Sequence, residues 1–291
     1  MRVTQSMLSQ NMLRNLSGSY SKMGKLQEQL NTGKKVSRPS DDPVIVMKGL
    51  GYRMQVDKVE QFQKNLGEVN NWLDSSDDAL DHVGQVLHRA RELAANAANT
   101  GTMTASDRDK IKIELEQLQE QLQDLANTKV GDKHIFSGKM TDQPLFDKAT
   151  GTYQSSAPFK EDVSIEVFDG VELRVSTNTS DMFNNINQLF TDIKNNIDDS
   201  YDFSASLGEI DILMDDVLTK RADIGARSNR AELMDNRLQM QEGAAKKQRS
   251  ENEDVDYEKT ITDLITSESI HRATLSVGAR IIQPSLVDFL R

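Results

Sequence analysis

Between Val59 and Ala97 the chain repeats side chains at alternating steps of three and four without a slip: Val59, Phe62, Leu66, Val69, Leu73, Ser76, Leu80, Val83, Leu87, Ala90, Ala94 and Ala97. Only Ser76 is polar. Such a rhythm falls on one face of a helix and matches the seam of coiled coils and long bundle helices. Ser75, Ser76, Asp77 and Asp78 are residue types that cap a fresh helix, but the register runs straight through them, so one continuous helix is expected. Residues 59–97 would extend roughly 58 Å, beyond the ~50 Å diameter of a compact sphere of this chain length. The seam therefore predicts an elongated rod.

Proline placement supports this, because proline in a helix interior costs about 3 kcal/mol. The five prolines stand at 39, 43, 144, 158 and 284, leaving two long proline-free stretches. In the first, after a turn around Thr100, Gly101 and Thr102, Thr104 and Asp107 have the spacing of a capping box. They open a second helix carrying Ile111, Leu115, Leu118, Leu122 and Leu125, and a short connection makes the pair antiparallel. In the second stretch, Phe183, Ile186, Phe190, Ile193 and Ile197, then Leu207, Ile210, Met214 and Val217, with a looser continuation through Ile224 and Leu238, supply further bundle helices.

Between about 134 and 178 the period changes to two. Val163, Ile165 and Val167 alternate with polar neighbours, Asp169-Gly170 suits a type I′ turn, and Val171, Leu173 and Val175 alternate on the return. A second hairpin is expected from Leu145-Phe146 to Tyr153 across residues 148–151. Nine of the fifteen aromatic residues fall within 134–203, so bulky packing concentrates there. The expected fold is mainly α: a long-helix bundle or coiled-coil rod formed by the N- and C-terminal halves, with a small β-rich insertion.

Each end carries a narrow apolar stripe. Met12, Leu16, Ser19, Met23, Leu26 and Leu30 keep a heptad register near the N-terminus. Tyr257, Ile261, Leu264, Leu275 and Ile282 keep a comparable one near the C-terminus, interrupted by Glu268, His271 and Gly278. A stripe this narrow cannot bury itself, so each needs a partner helix, either the opposite terminus or another subunit, and is expected to order on meeting it.

Composition excludes much chemistry. Cysteine is absent, which removes disulfides, thiolate nucleophiles and zinc–cysteine sites. The net charge of −11 argues against a nucleic-acid partner, and no apolar run approaches the ~18 residues of a membrane span. Residues 1–16 lack the apolar core of a cleavable signal peptide. His82, His88, His134 and His271 form no i, i+4 pair; the phosphate-loop and dinucleotide-loop glycine patterns fail at Gly33, Gly138, Gly49 and Gly51; the SxxK at Ser19-Lys22 lacks companion motifs. The acidic clusters lack the glycine and terminal glutamate of a calcium loop. No catalytic, cofactor or metal site is expected.

Arg38-Pro39-Ser40-Asp41-Asp42-Pro43 ends one helical segment and begins another. Each proline pushes its predecessor out of the α region, Pro43 suits the first helical position, and Asp42 suits the N-cap. The two carboxylates then stand at the positive end of the next helix dipole.

These features together resemble the flagellin superfamily and, within it, the hook–filament junction proteins. The resemblance rests on the Met1-Arg2-Val3-Thr4-Gln5 start with a heptad helix ending in Gly33-Lys34-Lys35-Val36, and on the Ser37 to Pro43 run. It rests equally on Phe136-Ser137-Gly138, and on Glu253-Asp254-Val255-Asp256-Tyr257-Glu258 leading to Leu275 and Leu286-Val287-Asp288-Phe289-Leu290. The resemblance implies nested layers: residues 1–43 and 250–291 as an inner assembly domain, 44–133 and 179–249 as a rod, and 134–178 as an outer β-rich domain. Met12, Leu16, Met23, Leu26, Leu30, Tyr257, Ile261, Leu264, Leu275 and Ile282 would then carry assembly contacts, and Arg38 to Pro43 would mark the passage from inner domain to rod. The implied function is structural and non-enzymatic, at an extracellular site reached by type III export with an uncleaved signal. The implied partners are further copies in a ring, a hook-side junction protein, flagellin, an export chaperone and the export apparatus. Alternatives are a filament subunit, or a coiled-coil scaffold or fibre outside flagella. Against a filament subunit stand Ser40-Asp41-Asp42-Pro43, where flagellins commonly have Asp-Asp-Ala-Gly, and the Pro284-Ser285-Leu286-Val287-Asp288-Phe289 end.

Overall fold

The computed structural model describes residues 5–98, 104–148, 150–196 and 203–282, with only the backbone given at 5, 6, 105 and 280–282. The expected turn at 100–102, Ile197, the 1–4 start, the 286–290 end and the Ile282 side chain lie outside the described residues. Seven helices are described: α1 Gln5–Thr32, α2 Pro43–Ala97, α3 Ala105–Ala126, the short α4 Ala157–Lys160, α5 Ser180–Asn195, α6 Phe203–Glu253 and α7 Tyr257–Ile282. Three two-stranded antiparallel ribbons lie between α3 and α5: β1 Lys129–Val130 with β2 Lys133–His134, β3 Phe146–Asp147 with β4 Thr152–Tyr153, and β5 Ser164–Phe168 with β6 Val171–Arg174. The chain divides into two compact units, a terminal one of Met1–Lys58 with Gln241–Arg291 and a middle one of Val59–Met240.

In the middle unit every position of the Val59–Ala97 seam is buried. Ser76 is buried with the rest because its hydroxyl donates to the Trp72 carbonyl at 2.7 Å, the i−4 back-bond that hides a hydroxyl inside a helix. No break occurs at 75–78. Thr104 caps α3 in a full capping box with Asp107, and its hydroxyl and Lys110 hold the Asp107 carboxyl down at about 2. Arg89 of α2 meets Glu114 of α3 at 2.7 Å, the two lying at nearly equal distances in sequence from the ends of their helices, as an antiparallel pair requires. On α6 the buried residues Phe203, Ile210, Val217, Ile224, Ala231 and Leu238 recur at intervals of seven. Ala231 fills the gap that made this seam look loose in the sequence. Arg221 of α6 reaches both Asp77 and Asp81 of α2, at 2.8 and 2.5 Å, and Arg91 reaches Asp211 at 2.8 Å, so α2 and α6 run antiparallel.

The ribbons share the helices' core and build none of their own: Phe136, Phe146, Tyr153, Val167 and Leu173 belong to one apolar cluster with α2, α3, α5 and α6. Phe136 packs on Phe183 with centroids 5.4 Å apart, and Phe146 on Tyr153 at 4.9 Å. Burial pushes the Tyr153 hydroxyl well up. The β5–β6 turn departs from the type I′ expectation. Gly170 alone has positive φ, Asp169 does not, and one extra residue in β5 between Glu166 and Phe168 takes up the mismatch as a bulge. Gly138, with φ +57°, closes the Phe136-Ser137-Gly138 corner, where a Cβ would stand 2.5 Å from the Phe159 carbonyl oxygen.

Candidate assembly site: the terminal helix pair and its clasp

Within the terminal unit α1 pairs with α7. The Met12 methyl lies 1.5 Å from where a Cβ on Gly278 would stand, the Tyr20 and His271 rings are 6.1 Å apart, and the Tyr257 hydroxyl lies 2.7 Å from where a Cβ on Gly33 would stand. In each pair the residue numbers add to 290 or 291, so the helices run antiparallel in constant register. Met12, Leu16, Ser19, Met23, Leu26 and Leu30 are buried or half-buried along α1. Opposite them, in reverse order, the covered residues of α7 are Gly278, Thr274, His271, Ser267, Leu264 and Thr260.

The N-terminal stripe therefore faces α7, and among the described side chains of the C-terminal stripe Leu264 is the one covered by α1. Tyr257, Ile261 and Leu275 are exposed, at 52%, 46% and 46%, joined by Ile265, Ile270 and Val277. His271 and Gly278, read from sequence as interruptions, are members of the pairing face. A search for apolar residues passes over that face, although 260, 264, 267, 271, 274 and 278 keep the three–four rhythm. Its polar atoms are only partly settled: the Thr274 hydroxyl donates to the Ile270 carbonyl at 2.8 Å, whereas His271 Nδ1 is buried with no hydrogen-bond partner among the described residues. An unmade bond at a buried polar atom costs about 1–3 kcal/mol. α7 thus offers α1 its less apolar face and turns the more apolar one outward.

A clasp closes the pair where α1 gives way to α2 and α6 to α7. Gly33 takes φ +68°, the left-handed conformation that ends α1. An antiparallel bridge follows: Lys35 N–H donates to the Glu253 carbonyl at 2.7 Å and Val255 N–H to the Gly33 carbonyl at 2.9 Å. Lys34 Nζ lies 2.6 Å from Asp254 and 3.5 Å from Glu253, and Arg53 Nε lies 2.9 Å from Glu253. Burial opposes charge on Glu253, but Arg53 and Lys34 outweigh it and hold the carboxyl below its usual range. The Lys34 and Ser250 hydrogen bonds hold Asp254 down likewise. Gly49 is the residue that admits Glu253, since a Cβ there would stand 2.4 Å from its Oε1.

The Arg38 to Pro43 run leads into this clasp. Asp42 Oδ1 accepts from Val44 N–H at 2.9 Å and Ile45 N–H at 3.1 Å, capping α2 with Pro43 at its first position. Asp41 N–H donates to the Arg38 carbonyl at 3.0 Å, and Asp41 stands 3.6 Å from Lys25 of α1. Asp256 repeats the capping device on α7, accepting from Lys259 N–H at 3.1 Å. Among the described residues, no group of three or more His, Asp and Glu is placed to hold a metal ion, and no helix is long and apolar enough to cross a membrane.

This arrangement has relatives. Residues 3–141 match the bacterial flagellin N-terminal helical region and residues 207–290 the bacterial flagellin C-terminal helical region, together about three quarters of the chain. The flagellar hook-associated protein 3 of Escherichia coli K12 is 25% identical over 94% of this chain and 95% of its own. The flagellin of Bacillus subtilis 168 is 25% identical over 96% of each. Among solved structures, Bacillus cereus FlgL, 25% identical, aligns with a TM-score of 0.58 over 69% of this chain and 99% of that one. With these two matched regions covering most of its length, this chain belongs to the bacterial flagellin family.

Proposed function

We propose that the chain is a structural, non-catalytic subunit of the bacterial flagellum, forming the junction between hook and filament and letting flagellin polymerise onto the hook. The observation that carries this reading is the end-to-end match to a hook-associated protein 3, supported by the Bacillus cereus FlgL fold and by Ser40-Asp41-Asp42-Pro43 at the start of α2. Residues 1–43 with 250–291 act as the inner assembly domain, 44–133 with 179–249 as the rod, and 134–178 as the outer β-rich part. The assembly surface comprises Met12, Leu16, Met23, Leu26 and Leu30, which set the helix pair, and Tyr257, Ile261, Leu264, Leu275 and Ile282 of α7. Arg38 to Pro43 is the passage into the rod. Its partners are further copies in a ring, a hook-side junction protein, flagellin, an export chaperone and the type III apparatus. Its place is extracellular, reached without signal cleavage.

A second reading, filament subunit, is favoured by the equally long match to Bacillus subtilis flagellin. A strain lacking the gene separates the two. A junction protein's loss leaves flagellin secreted into the medium with no filaments built, whereas a filament subunit's loss removes that subunit itself. Wild-type motility in the deletion strain contradicts both and favours a fibre or scaffold outside flagella.

A further inference from the structure

Between α2 and the ribbons of the middle unit lies a crevice of about 430 Å³, within the roughly 300–1,000 Å³ span of small-molecule sites. Its walls are fixed by hydrogen bonds within the protein. Asn65 of α2 donates to the Glu166 carbonyl at 2.7 Å, Val175 N–H to the Val163 carbonyl at 2.8 Å, and His134 N–H to the Thr141 carbonyl at 2.8 Å. One wall is apolar, made by Val163, Ile165 and Val175. Trp72 borders the same space and is only 3% exposed. Its indole N–H meets no acceptor among the described residues, yet it is not among their fully enclosed polar atoms. A buried tryptophan N–H ordinarily finds a partner, so this one is a donor left open toward the crevice. At the mouth, the exposed side chains of Glu68 and Lys133 have no partner among the described residues, whereas Lys139 is held by Glu161 at 2.6 Å. One free carboxylate and one free ammonium give the lining no net charge to offer.

We propose that this crevice binds a neutral N-acetylated amino sugar. A lone donor beside a small apolar wall calls for an acceptor carried next to a small apolar group, which is the make-up of an acetamido substituent. Its carbonyl oxygen accepts from Trp72 Nε1 while its methyl packs on Val163 and Ile165. Ring hydroxyls both donate and accept, so they can meet the Glu68 carboxylate, the Lys133 ammonium and the Thr141 hydroxyl at the mouth. A plain hexose has no acetamido group and leaves the indole N–H and the apolar wall unmet, which costs affinity. A sugar with a charge gains nothing from a lining in which the charges balance.

Trp72 is the single tryptophan of the chain, so its emission reports on the crevice without background. N-acetylglucosamine is titrated into the purified full-length chain, with glucose as the control, and saturation-transfer NMR follows the acetyl methyl in parallel. The expected result is a saturable change in Trp72 emission with a midpoint on the order of 1 mM, the weak end of the affinity scale. Saturation transfer should be strongest at the acetyl methyl, and glucose should need about tenfold more for the same response, as the loss of one buried hydrogen bond predicts. Glu68→Ala, at an exposed position, should raise the midpoint about threefold or more, and Val163→Phe, which fills the crevice, should abolish the response. Absence of saturation transfer from N-acetylglucosamine overturns the inference. So does saturation transfer with unaltered Trp72 emission, which places the sugar elsewhere, and so does a glucose response equal to that of N-acetylglucosamine. An unchanged midpoint in Glu68→Ala overturns it too, whether or not Val163→Phe folds.

Discussion

The side chain of Met12 lies across Gly278, occupying the space in which any other residue would carry its Cβ. This contact is the far end of a register that begins at Gly33 and Tyr257, and the register makes testable demands.

Enlarging residue 278 should separate the helix ends. Gly278→Ala needs only the flexible Met12 to swing away, and the helix-propensity gain of about 1 kcal/mol offsets that cost, leaving stability near neutral. Gly278→Phe overpacks the contact by about 1–3 kcal/mol. Hydrogen exchange across residues 7–16 should quicken in Gly278→Phe, and Met12→Ala added to it should restore much of the protection.

The Glu253 carboxylate ties α1, α2 and α6 together. Its side chain is 8% exposed, but Lys34 and Arg53 are 39% and 54% exposed, so solvent screening brings the expected loss for Glu253→Ala well below the 3–5 kcal/mol of a fully buried pair, to about 1–2 kcal/mol. A double-mutant cycle with Arg53→Ala, read by urea unfolding, should return a positive coupling energy.

Acid should loosen the same clasp. Glu253 and Asp254 are held below their usual range when folded. Their contribution is therefore fully present above the unfolded values near pH 4 and is lost as pH falls through the folded ones. Between pH 6 and pH 3 the urea midpoint should fall more for the parent chain than for Glu253→Gln/Asp254→Asn. Equal falls would mean that other carboxylates account for the acid response.

Gly138 should tolerate no side chain. Its φ of +57° is left-handed, and a Cβ would press on the backbone of Phe159 and Glu161. Backbone oxygens cannot swing aside as Met12 can, so Gly138→Ala should cost about 1–3 kcal/mol, seen as a lower Tm with looser packing around Phe136 and Phe159.

The helices were legible because burial along them follows a strict rhythm: the Val59–Ala97 seam, the Thr104 cap and the Asp42-Pro43 start all stand where the pattern puts them. Two features escaped. Ala231, flanked by polar residues, does not announce a seam position that only close packing fills. On α7, Thr260, Ser267, His271 and Gly278 form the covered face while Ile261 and Ile265 lie outside, the reverse of what hydrophobicity alone suggests. Periodicity finds the stripes on a helix, but the partner decides which stripe is covered. The clasp was visible only as separate pieces, Gly33-Lys34-Lys35 and Glu253-Asp254. Their meeting depends on a contact across more than two hundred residues.

Assembly through the outward face of α7 is tested most directly by Ile261→Asp. Ile261 is exposed, so the variant should fold with a urea midpoint equivalent to a change within about 0.5 kcal/mol, be exported, and yet be missing from isolated flagella, while Ile113→Asp on the middle unit is incorporated normally. Normal incorporation of a folded Ile261→Asp chain would contradict the claim that this face is the assembly surface.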